Sequence, residues 1–435
     1  MVAGEKRPAS YRWLIFWILA LGYVLVYFHR LSPGVMALEL MKSFNAGGAI
    51  VGLLASAYFY PYALMQLPAG LLSDSLGPRK SVTMFLLVAA AGAILFGAAP
   101  SLGVAIFARV LVGLGVCMVF VPALKILSQW FTRGEFSMMT AILNAMGGVG
   151  VLVAASPLAF LTDILGWRKT FFAIGLATIL LAGAVWRWVR NRPEDVGLPP
   201  IAPPGPGSQG ASAAQPIPLL DGMKRVLKDR YFWAIAIWFF FNCGIFFGIG
   251  GLWGGPYLMH VYGLSKTGAG WVLNSVALGL IIGSPFLSML SDKILVSRKK
   301  ALILSSVAVA ATMLLLAIFT DRLPHAALYV VFFSIGFFSA AIVVIAFTAT
   351  KELFPLEIAG TSVGTVNLFP FAGGATFQPL LGVILQKVSG TTGVYTVAAY
   401  RAAFICCFIA ALIALISISF MKETLCEVPK VPKVK

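Results

Sequence analysis

The chain has few charged residues for its length. Only 11% of its 435 residues are Asp, Glu, Lys or Arg, and 60% are hydrophobic, whereas soluble domains have about 25% charged and about 45 to 50% apolar residues. A water-soluble globular protein is therefore excluded. Many apolar runs reach about 18 residues, enough for a helix to cross roughly 30 Å of hydrocarbon. The sequence predicts an all-α membrane protein.

Acidic residues are scarce where the chain is most apolar. Carboxylates fall in loops or at the ends of apolar runs, at Glu39, Asp74, Glu135, Asp163, Asp292, Asp321, Glu352 and Glu357. An exporter of cationic drugs needs a carboxylate within the membrane, so this class is disfavoured. The sequence also lacks a GxxxxGK[ST] loop and a Ser/His/Asp set on a soluble domain. We therefore predict neither ATP-driven transport nor an enzyme.

Cysteines are also few. The five cysteines lie mostly in apolar runs and have no metal-ligand spacing, so we predict no metal and no cofactor. The net charge of +17 comes from Lys and Arg in short segments between apolar runs. This distribution indicates membrane topology in a lipid bilayer rather than nucleic acid binding.

Twelve transmembrane helices are predicted, in two six-helix bundles. The spans run from about 13 to 37, 49 to 73, 81 to 99, 102 to 128, 137 to 160, 170 to 189, 231 to 258, 267 to 290, 300 to 319, 326 to 350, 359 to 385 and 399 to 421. Residues 193 to 228 are rich in Pro, Gly, Ala and Ser, which predicts a linker between bundles at 1 to 192 and 229 to 435. The Lys and Arg asymmetry predicts that both termini and the linker are cytoplasmic.

A short charged hairpin joins the second and third predicted spans. It has the spacing G-x-x-x-D-x-x-G-x-[RK], formed by Gly70, Asp74, Gly77, Arg79 and Lys80. A weaker copy, with Asp292 and Arg298 to Lys300, joins the eighth and ninth spans. An internal repeat is harder to obtain by chance than one motif. The pattern resembles the signature loop of the major facilitator superfamily, although Ser75 replaces the usual basic residue and Pro78 separates Gly77 from Arg79.

This resemblance implies a secondary transporter, because two six-helix repeats that rock about a central site are the architecture of that superfamily. Arg109, Gly113 and Gly115 in the fourth span are similar to its R-x-x-x-G-x-G helix, whose Arg is associated with energy coupling, commonly through protons. The chain is expected to be a monomer in the plasma (inner) membrane. The hairpin residues and Asp292 are expected to act in gating, as are Lys125 and Lys351 near the ends of their spans.

Arg30 is the main candidate for binding an anionic group. Tyr23, Tyr27 and Arg30 recur at i, i+4 and i+7, which places them on one helical stripe. Arg109 lies at a similar depth in the fourth span, so the two guanidinium groups could converge on one ligand. In the alternative, each pairs with backbone carbonyls or with an acid such as Glu39.

Further polar side chains are expected to line the central cavity. They are Tyr58, Tyr62, Gln66, Asn144, Trp253, Asn274, Asn367 and Gln378. The alternative for each amide is an interhelical hydrogen bond. Trp253 lies in the glycine-rich segment GIGGLWGGPY, which is expected to bend or unwind.

The basic balance within the membrane predicts that the solute is a small organic anion. The resemblance implies a transporter that works by alternating access, with proton symport. The first alternative is a transporter of amino acids or short peptides, with Arg30 on the carboxylate. The segments YFHRLSPG and YFYPYALMQLPAG are similar to bacterial relatives of the lysosomal dipeptide transporter branch. Alternatives of another class are a non-transporting membrane receptor and a lipid flippase.

Overall fold

The computed structural model describes residues 6–66, 68–199, 201, 219–390 and 394–425. All regular secondary structure in these ranges is helical, as predicted. Eleven of the described helices are long and apolar enough to cross a membrane, and a shorter apolar segment spans Gly48–Leu64. The all-α membrane class is confirmed. The count of twelve spans and the cytoplasmic position of the termini remain predictions.

The first half of the chain, up to residue 199, forms ten α-helices in the part described. They are α1 (Lys6–Leu31), α2 (Pro33–Phe44), α3 (Gly48–Ser56), α4 (Phe59–Leu64), α5 (Ala69–Leu76), α6 (Pro78–Ala98), α7 (Leu102–Val116), α8 (Phe120–Trp130), α9 (Arg133–Val153) and α10 (Ser156–Trp188). Within α10, Gly166 has a φ of 75° and a ψ of 155°, which are not helical, so the helix is kinked there.

The second half, from residue 219, contains ten α-helices and three π-helical segments among its described residues. They are α11 (Leu219–Lys228), α12 (Arg230–Ile245), π1 (Phe246–Trp253), α13 (Gly254–Tyr262), α14 (Lys266–Met289), π2 (Leu290–Ile294), α15 (Arg298–Ile318), α16 (His325–Ser334), π3 (Ile335–Ala341), α17 (Val343–Leu353), α18 (Leu356–Val366), α19 (Leu368–Ser389) and α20 (Val397–Ser419).

The second predicted span is not one continuous helix. It is divided into α3, α4 and α5, with Pro61 inside α4 and Pro68 directly before α5. Proline lacks a backbone N–H and clashes with the preceding turn, so a helix ends or bends near it. The first span is likewise divided at Ser32, before Pro33. These interruptions lie beside the candidate site described below.

The glycine-rich segment of the seventh span, which was expected to bend or unwind, stays helical in the structure. Residues Phe246–Trp253 remain helical but adopt the wider π form. Glycines tolerate the changed backbone hydrogen bonds of a π-helix because they have no side chain that would crowd the wider turn. Such π-helical turns inside α-helices occur often at functional sites.

Side-chain contacts define two ends of the helix assembly. At the end that carries the segment after α10, Arg12 forms an ion pair with Glu135 at 3.1 Å, and the Arg79 N–H donates to Asn191 at 2.9 Å. We call this the linker end. At the opposite end, which we call the far end, Lys266 contacts Glu39 and Asp163.

The two halves meet closely towards the far end. A Cβ on Gly382 of α19 would lie 2.2 Å from the carbonyl oxygen of Gly48, at the start of α3. A Cβ on Gly255 of α13 would lie equally close to the carbonyl oxygen of Gly34 in α2. Only glycine permits backbones to approach this closely. The far end is therefore closed by direct backbone packing between the halves.

Candidate substrate site and gates

Arg30 lies in the last turn of α1, at the contact between the two halves. Its side chain is buried, with 4% of the residue exposed. Five aromatic rings surround its guanidinium carbon, with centroids at 4.5 Å for Tyr27, 4.8 Å for Tyr62, 5.0 Å for Phe371, 5.8 Å for Phe247 and 5.9 Å for Tyr58. We call these residues the Arg30 cage. The tyrosines come from the first half and the phenylalanines from the second.

The Arg30 cage carries a positive charge without a carboxylate partner among the described residues. The Nε atom of Arg30 is buried and has no hydrogen-bond partner among the described residues. Each ring contact stabilises the cation by about 0.5 to 2 kcal/mol through the ring quadrupole. Rings do not neutralise a charge, so the cage is chemically suited to bind an anion.

Arg109 is placed at the same depth but is bound differently. Its Nη1 donates to the carbonyl oxygen of His29 at 2.9 Å, and its Nη2 donates to that of Ala55 at 3.4 Å. These carbonyls lie near the ends of α1 and α3, where helical carbonyl groups lack partners within the helix. The guanidinium carbon also lies 5.3 Å from the Tyr58 ring, which both arginines therefore share. Arg109 thus braces the two helix ends beside the cage.

The tyrosine stripe predicted on the first span is continuous in the structure. The rings of Tyr23 and Tyr27 are 5.4 Å apart, and Tyr23 stacks on Phe120 at 4.8 Å. Asn144 lies in α9, half-buried, about one turn before Gly147, and a Cβ on Gly147 would meet the Tyr27 ring at 2.7 Å. Asn144 is therefore near the linker side of the stripe.

On the linker side of the cage, an amide pair joins the halves. The Asn367 amide nitrogen donates to Gln66 Oε1 at 2.7 Å. Gln66 follows Tyr62 by about one turn, and Asn367 precedes Phe371 by one turn. Opening the linker side therefore requires this hydrogen bond to break.

On the far side of the cage, other predicted residues form a buried network. Trp253 Nε1 donates to the backbone oxygen of Gln378 at 2.8 Å, and Gln378 Nε2 donates to the carbonyl oxygen of Phe247 at 3.1 Å. Asn274 is further away, where it donates to the Ser156 hydroxyl at 2.6 Å and links α14 to α10. The structure thus places Gln378 next to the cage and Asn274 at a separate contact between the halves.

The first hairpin motif lies at the linker end. Gly77 has a φ of 82°, a left-handed conformation that favours glycine, between α5 and α6. The Arg79 guanidinium lies 4.4 Å from the Trp186 ring and donates to the Trp186 carbonyl. Lys80 is exposed. Gly70 and Asp74 lie in α5, and the Asp74 side chain is outside the described part of the structure.

The second copy of the hairpin forms an ion network. Arg298 pairs with Asp292 and, at 3.2 Å, with Glu352 at the end of α17. Lys351, next to Glu352, is exposed, as is Lys125 in α8. The two lysines therefore lie at the surface near the linker end, outside the Arg30 cage.

Two groups of residues were missed by sequence reasoning. Phe247 and Phe371 complete the cage, but nothing distinguishes them among the 33 phenylalanines of the chain. At the far end, Lys266 Nζ lies 2.5 Å from Glu39 Oε1 and 2.8 Å from Asp163 Oδ1, and so joins the two halves. We call these three residues the far-end ion cluster. A charged residue outside the predicted spans carries no sequence signal for such a contact.

Comparison with known proteins agrees with this architecture. The chain is 27% identical over 418 residues to the membrane sensor protein UhpC of Salmonella typhimurium, covering 92% of this chain and 90% of the relative. It is 24% identical over 417 residues to the probable galactarate/D-glucarate transporter GudP of Bacillus subtilis, covering 90% and 89%.

A solved structure supports the fold. The inward-facing, occupied bacterial homolog of the human lysosomal transporter Spinster matches with a TM-score of 0.72 at 18% identity, over 95% of this chain and 97% of that one. The family model described as Major Facilitator Superfamily matches residues 19–254 and 247–433. The chain is therefore a member of the major facilitator superfamily, an integral multi-pass protein of the plasma (inner) membrane and not an enzyme.

Proposed function

We propose that this protein transports a small organic anion by alternating access, with Arg30 as the principal contact for the anionic group. The observation that carries the proposal is the buried, uncompensated guanidinium of the Arg30 cage. An ionised side chain inside the membrane is costly unless it is paired or faces a polar cavity. An anionic solute would supply the missing partner.

The composition of the cage supports coupling between binding and movement. Tyr27, Tyr58 and Tyr62 belong to the first half, whereas Phe247 and Phe371 belong to the second. A solute on Arg30 therefore contacts both halves at once. A ligand shifts a conformational equilibrium only by its different affinity for the two states, and a site shared between moving halves supplies such a difference.

The closed far end supports a cycle in which the solute reaches the cage from the linker end once the hydrogen bond between Gln66 and Asn367 breaks. The two halves are proposed to correspond to bundles at residues 1 to 192 and 229 to 435, joined by the linker at 193 to 228. Twelve spans and cytoplasmic termini belong to the same proposal. Release of the backbone contacts at Gly48 and Gly34 would open the opposite side.

Proton symport is part of the proposal, and the chain is proposed to act as a monomer. The symport rests on the similarity of the Arg109 helix to the coupling helix of the superfamily. Among the described residues, the cage contains no carboxylate to carry the proton. An ionisable group of the solute itself is therefore the simplest carrier. Uptake into proteoliposomes should increase when an inward proton gradient is imposed.

The relative GudP is named as a probable galactarate/D-glucarate transporter, so D-glucarate is a suitable first probe. We expect purified protein to bind D-glucarate, and Arg30→Ala to raise the dissociation constant roughly ten- to 150-fold, because a hydrogen bond to a charged group contributes about 1.5 to 3 kcal/mol. The dissociation constant of Arg30→Lys should lie between those of the parent and Arg30→Ala, since an ammonium does not offer two parallel donors.

The matched control is Arg401→Ala, which removes a half-exposed arginine from the far-end region. It should leave binding unchanged. Size-exclusion profiles establish that each variant is folded. The comparison uses an anion that the parent protein binds. If folded Arg30→Ala binds this anion as tightly as the parent does, Arg30 is structural and the proposal fails. Amino acids, dipeptides and lipids in the same screen test the alternative transporter substrates and a flippase.

A second candidate function is a non-transporting receptor. It is favoured by one observation, the similarity over most of the chain to UhpC, which is named a membrane sensor protein. A receptor and a transporter would share the Arg30 site. Proteoliposomes separate them, because a receptor binds the anion without accumulating it.

A further inference from the structure

Gln378 has an amide whose orientation is set by its neighbours. The residue is fully buried in α19. Its Nε2 donates to the carbonyl oxygen of Phe247 at 3.1 Å. Because a carbonyl only accepts hydrogen bonds, the atom facing it must be the amide nitrogen. The other amide atom, Oε1, is therefore the one left over.

Oε1 of Gln378 is buried and has no hydrogen-bond partner among the described residues. A buried acceptor without a partner costs about 1 to 3 kcal/mol, so such atoms need an explanation. Turning the amide over would place two carbonyl oxygens against each other and would not remove the cost. The unpaired atom can be satisfied only by a donor from elsewhere.

The free oxygen belongs to the surroundings of the Arg30 cage. Phe247 supplies both the carbonyl that holds Gln378 and a ring 5.8 Å from the Arg30 guanidinium. A Cβ placed on Gly251 would lie 3.6 Å from Gln378 Nε2 and 2.9 Å from the side chain of Leu31, the residue after Arg30. The absence of a side chain at Gly251 thus brings the amide next to the end of α1.

We infer that the solute carries a hydroxyl group in addition to its anionic group, and that Gln378 Oε1 accepts a hydrogen bond from this hydroxyl. The inference rests on the proposed function and specifies its substrate class as a hydroxylated organic anion. Arg30 binds the anionic end from the first half, and Gln378 receives the donor from the second half.

A hydroxyl fits better than an ammonium group as the donor. Arg30 and Arg109 place two guanidinium groups around the Tyr58 ring, at 5.9 and 5.3 Å. Neither arginine forms an ion pair with a carboxylate among the described residues. A second cation on the solute would be repelled by both, whereas a neutral hydroxyl would not.

The test compares two six-carbon dicarboxylates, D-glucarate and adipate, which differ in that adipate lacks the hydroxyl groups. Binding to the purified full-length protein is measured by isothermal titration calorimetry. A site that leaves a buried acceptor unpaired should reject the analogue by about 1 to 3 kcal/mol, or roughly five- to 150-fold in dissociation constant. The parent should therefore prefer D-glucarate by this factor.

Gln378→Met removes the acceptor and keeps an unbranched side chain of similar volume. We expect it to weaken D-glucarate binding, to leave adipate binding nearly unchanged and so to bring the preference close to one. Gln378→Asn, which withdraws the oxygen by one methylene group, should do the same if the Met variant does not fold. The matched control is Gln386→Met, two turns further along α19, which should keep the parent's preference.

Each remaining outcome overturns the inference. A Gln378→Met variant with the parent's preference would remove the role of this oxygen. A parent that binds adipate as tightly as D-glucarate would do the same, and so would a parent that binds neither. Failure of the proposed function is a separate result, which Arg30→Ala decides. If the parent binds both anions equally and Arg30→Ala weakens the binding of both, the anion site stands and only the hydroxyl requirement is lost.

Discussion

The far-end ion cluster offers a direct way to shift the protein between its conformations. Lys266 Nζ lies between Glu39 Oε1 at 2.5 Å and Asp163 Oδ1 at 2.8 Å, and the lysine side chain is only 11% exposed. Glu39 and Asp163 belong to the first half and Lys266 to the second. We predict that Lys266→Met favours opening of the far end, because it removes both ion pairs and leaves two carboxylates facing each other.

The size of the effect follows from exposure. Hydrogen bonds to charged groups contribute about 1.5 to 3 kcal/mol when buried, but exposed ion pairs only about 0.2 to 1 kcal/mol. The carboxylates here are 36% and 47% exposed, so water screens them substantially. We therefore expect a loss of about 1.5 kcal/mol for the two contacts together. This corresponds to roughly a tenfold shift towards the state with an open far end.

Spin labels at positions 42 and 387 can measure this shift. Both lysines are exposed and lie towards the far end, one in each half. Pulsed electron spin resonance on the purified, doubly labelled protein gives the fraction of molecules with a long distance between labels. This fraction should increase in Lys266→Met. The matched control is Lys169→Met, which removes an exposed lysine from the same end and should leave the distances unchanged.

Two results would contradict this reasoning. One is an unchanged distance distribution in Lys266→Met. The other is an equal change in Lys169→Met, which would mean that total charge rather than the cluster controls the far end. The double variant Glu39→Gln with Lys266→Met adds a further check. Because the two residues contact each other, its shift in free energy should be smaller than the sum of the shifts in the two single variants.

Two other predictions concern Glu423 and the membrane topology. Burial alone would raise the pKa of Glu423, but hydrogen bonds from Ser297 and from the backbone of Leu425, Arg298 and Lys299 outweigh it and lower this pKa below its ordinary value. The carboxylate thus stabilises the fold above its unfolded pKa of about 4.3 and loses this effect as pH falls through its lower folded pKa. Glu423→Gln should therefore lower the melting temperature at pH 7, and the difference from the parent should shrink as pH falls below about 4.3. Equal melting temperatures at pH 7 would contradict this. The topology is tested with single cysteines in a background without native cysteines. Cysteines at positions 207 and 430 should resist impermeant thiol reagents in intact cells, whereas a cysteine at position 387 should be labelled. Rapid labelling of all three would contradict the predicted topology.

The sequence predicted the first half of the cage better than the second. Tyr27 and Arg30 share a stripe through the helical period, and the equal depth of Arg30 and Arg109 follows from counting residues along two helices. Phe247 and Phe371 could not be predicted, since their role comes from packing between halves. The same holds for Lys266, whose partners are distant in sequence.

Polar residues in the spans were easier to find than to assign. Asn274 and Gln378 were both predicted at the site, because an amide within a span stands out in an apolar sequence. The hydrogen bonds in the folded protein determine which of the two amides keeps an atom without a partner. Asn274 contacts Ser156, whereas Gln378 retains an unpaired oxygen. Local sequence does not contain this distinction, which depends on the π-helical backbone around Phe247.

The glycine contacts between the halves have a consequence for the entropy of closing. At Gly48 and Gly382, and at Gly34 and Gly255, backbone meets backbone without side chains. Closing the far end therefore freezes no rotamers at these points, whereas burial of a long side chain would cost up to about 1.5 to 2 kcal/mol in lost rotamer freedom. The halves can part and meet again there without any side chain having to find its place.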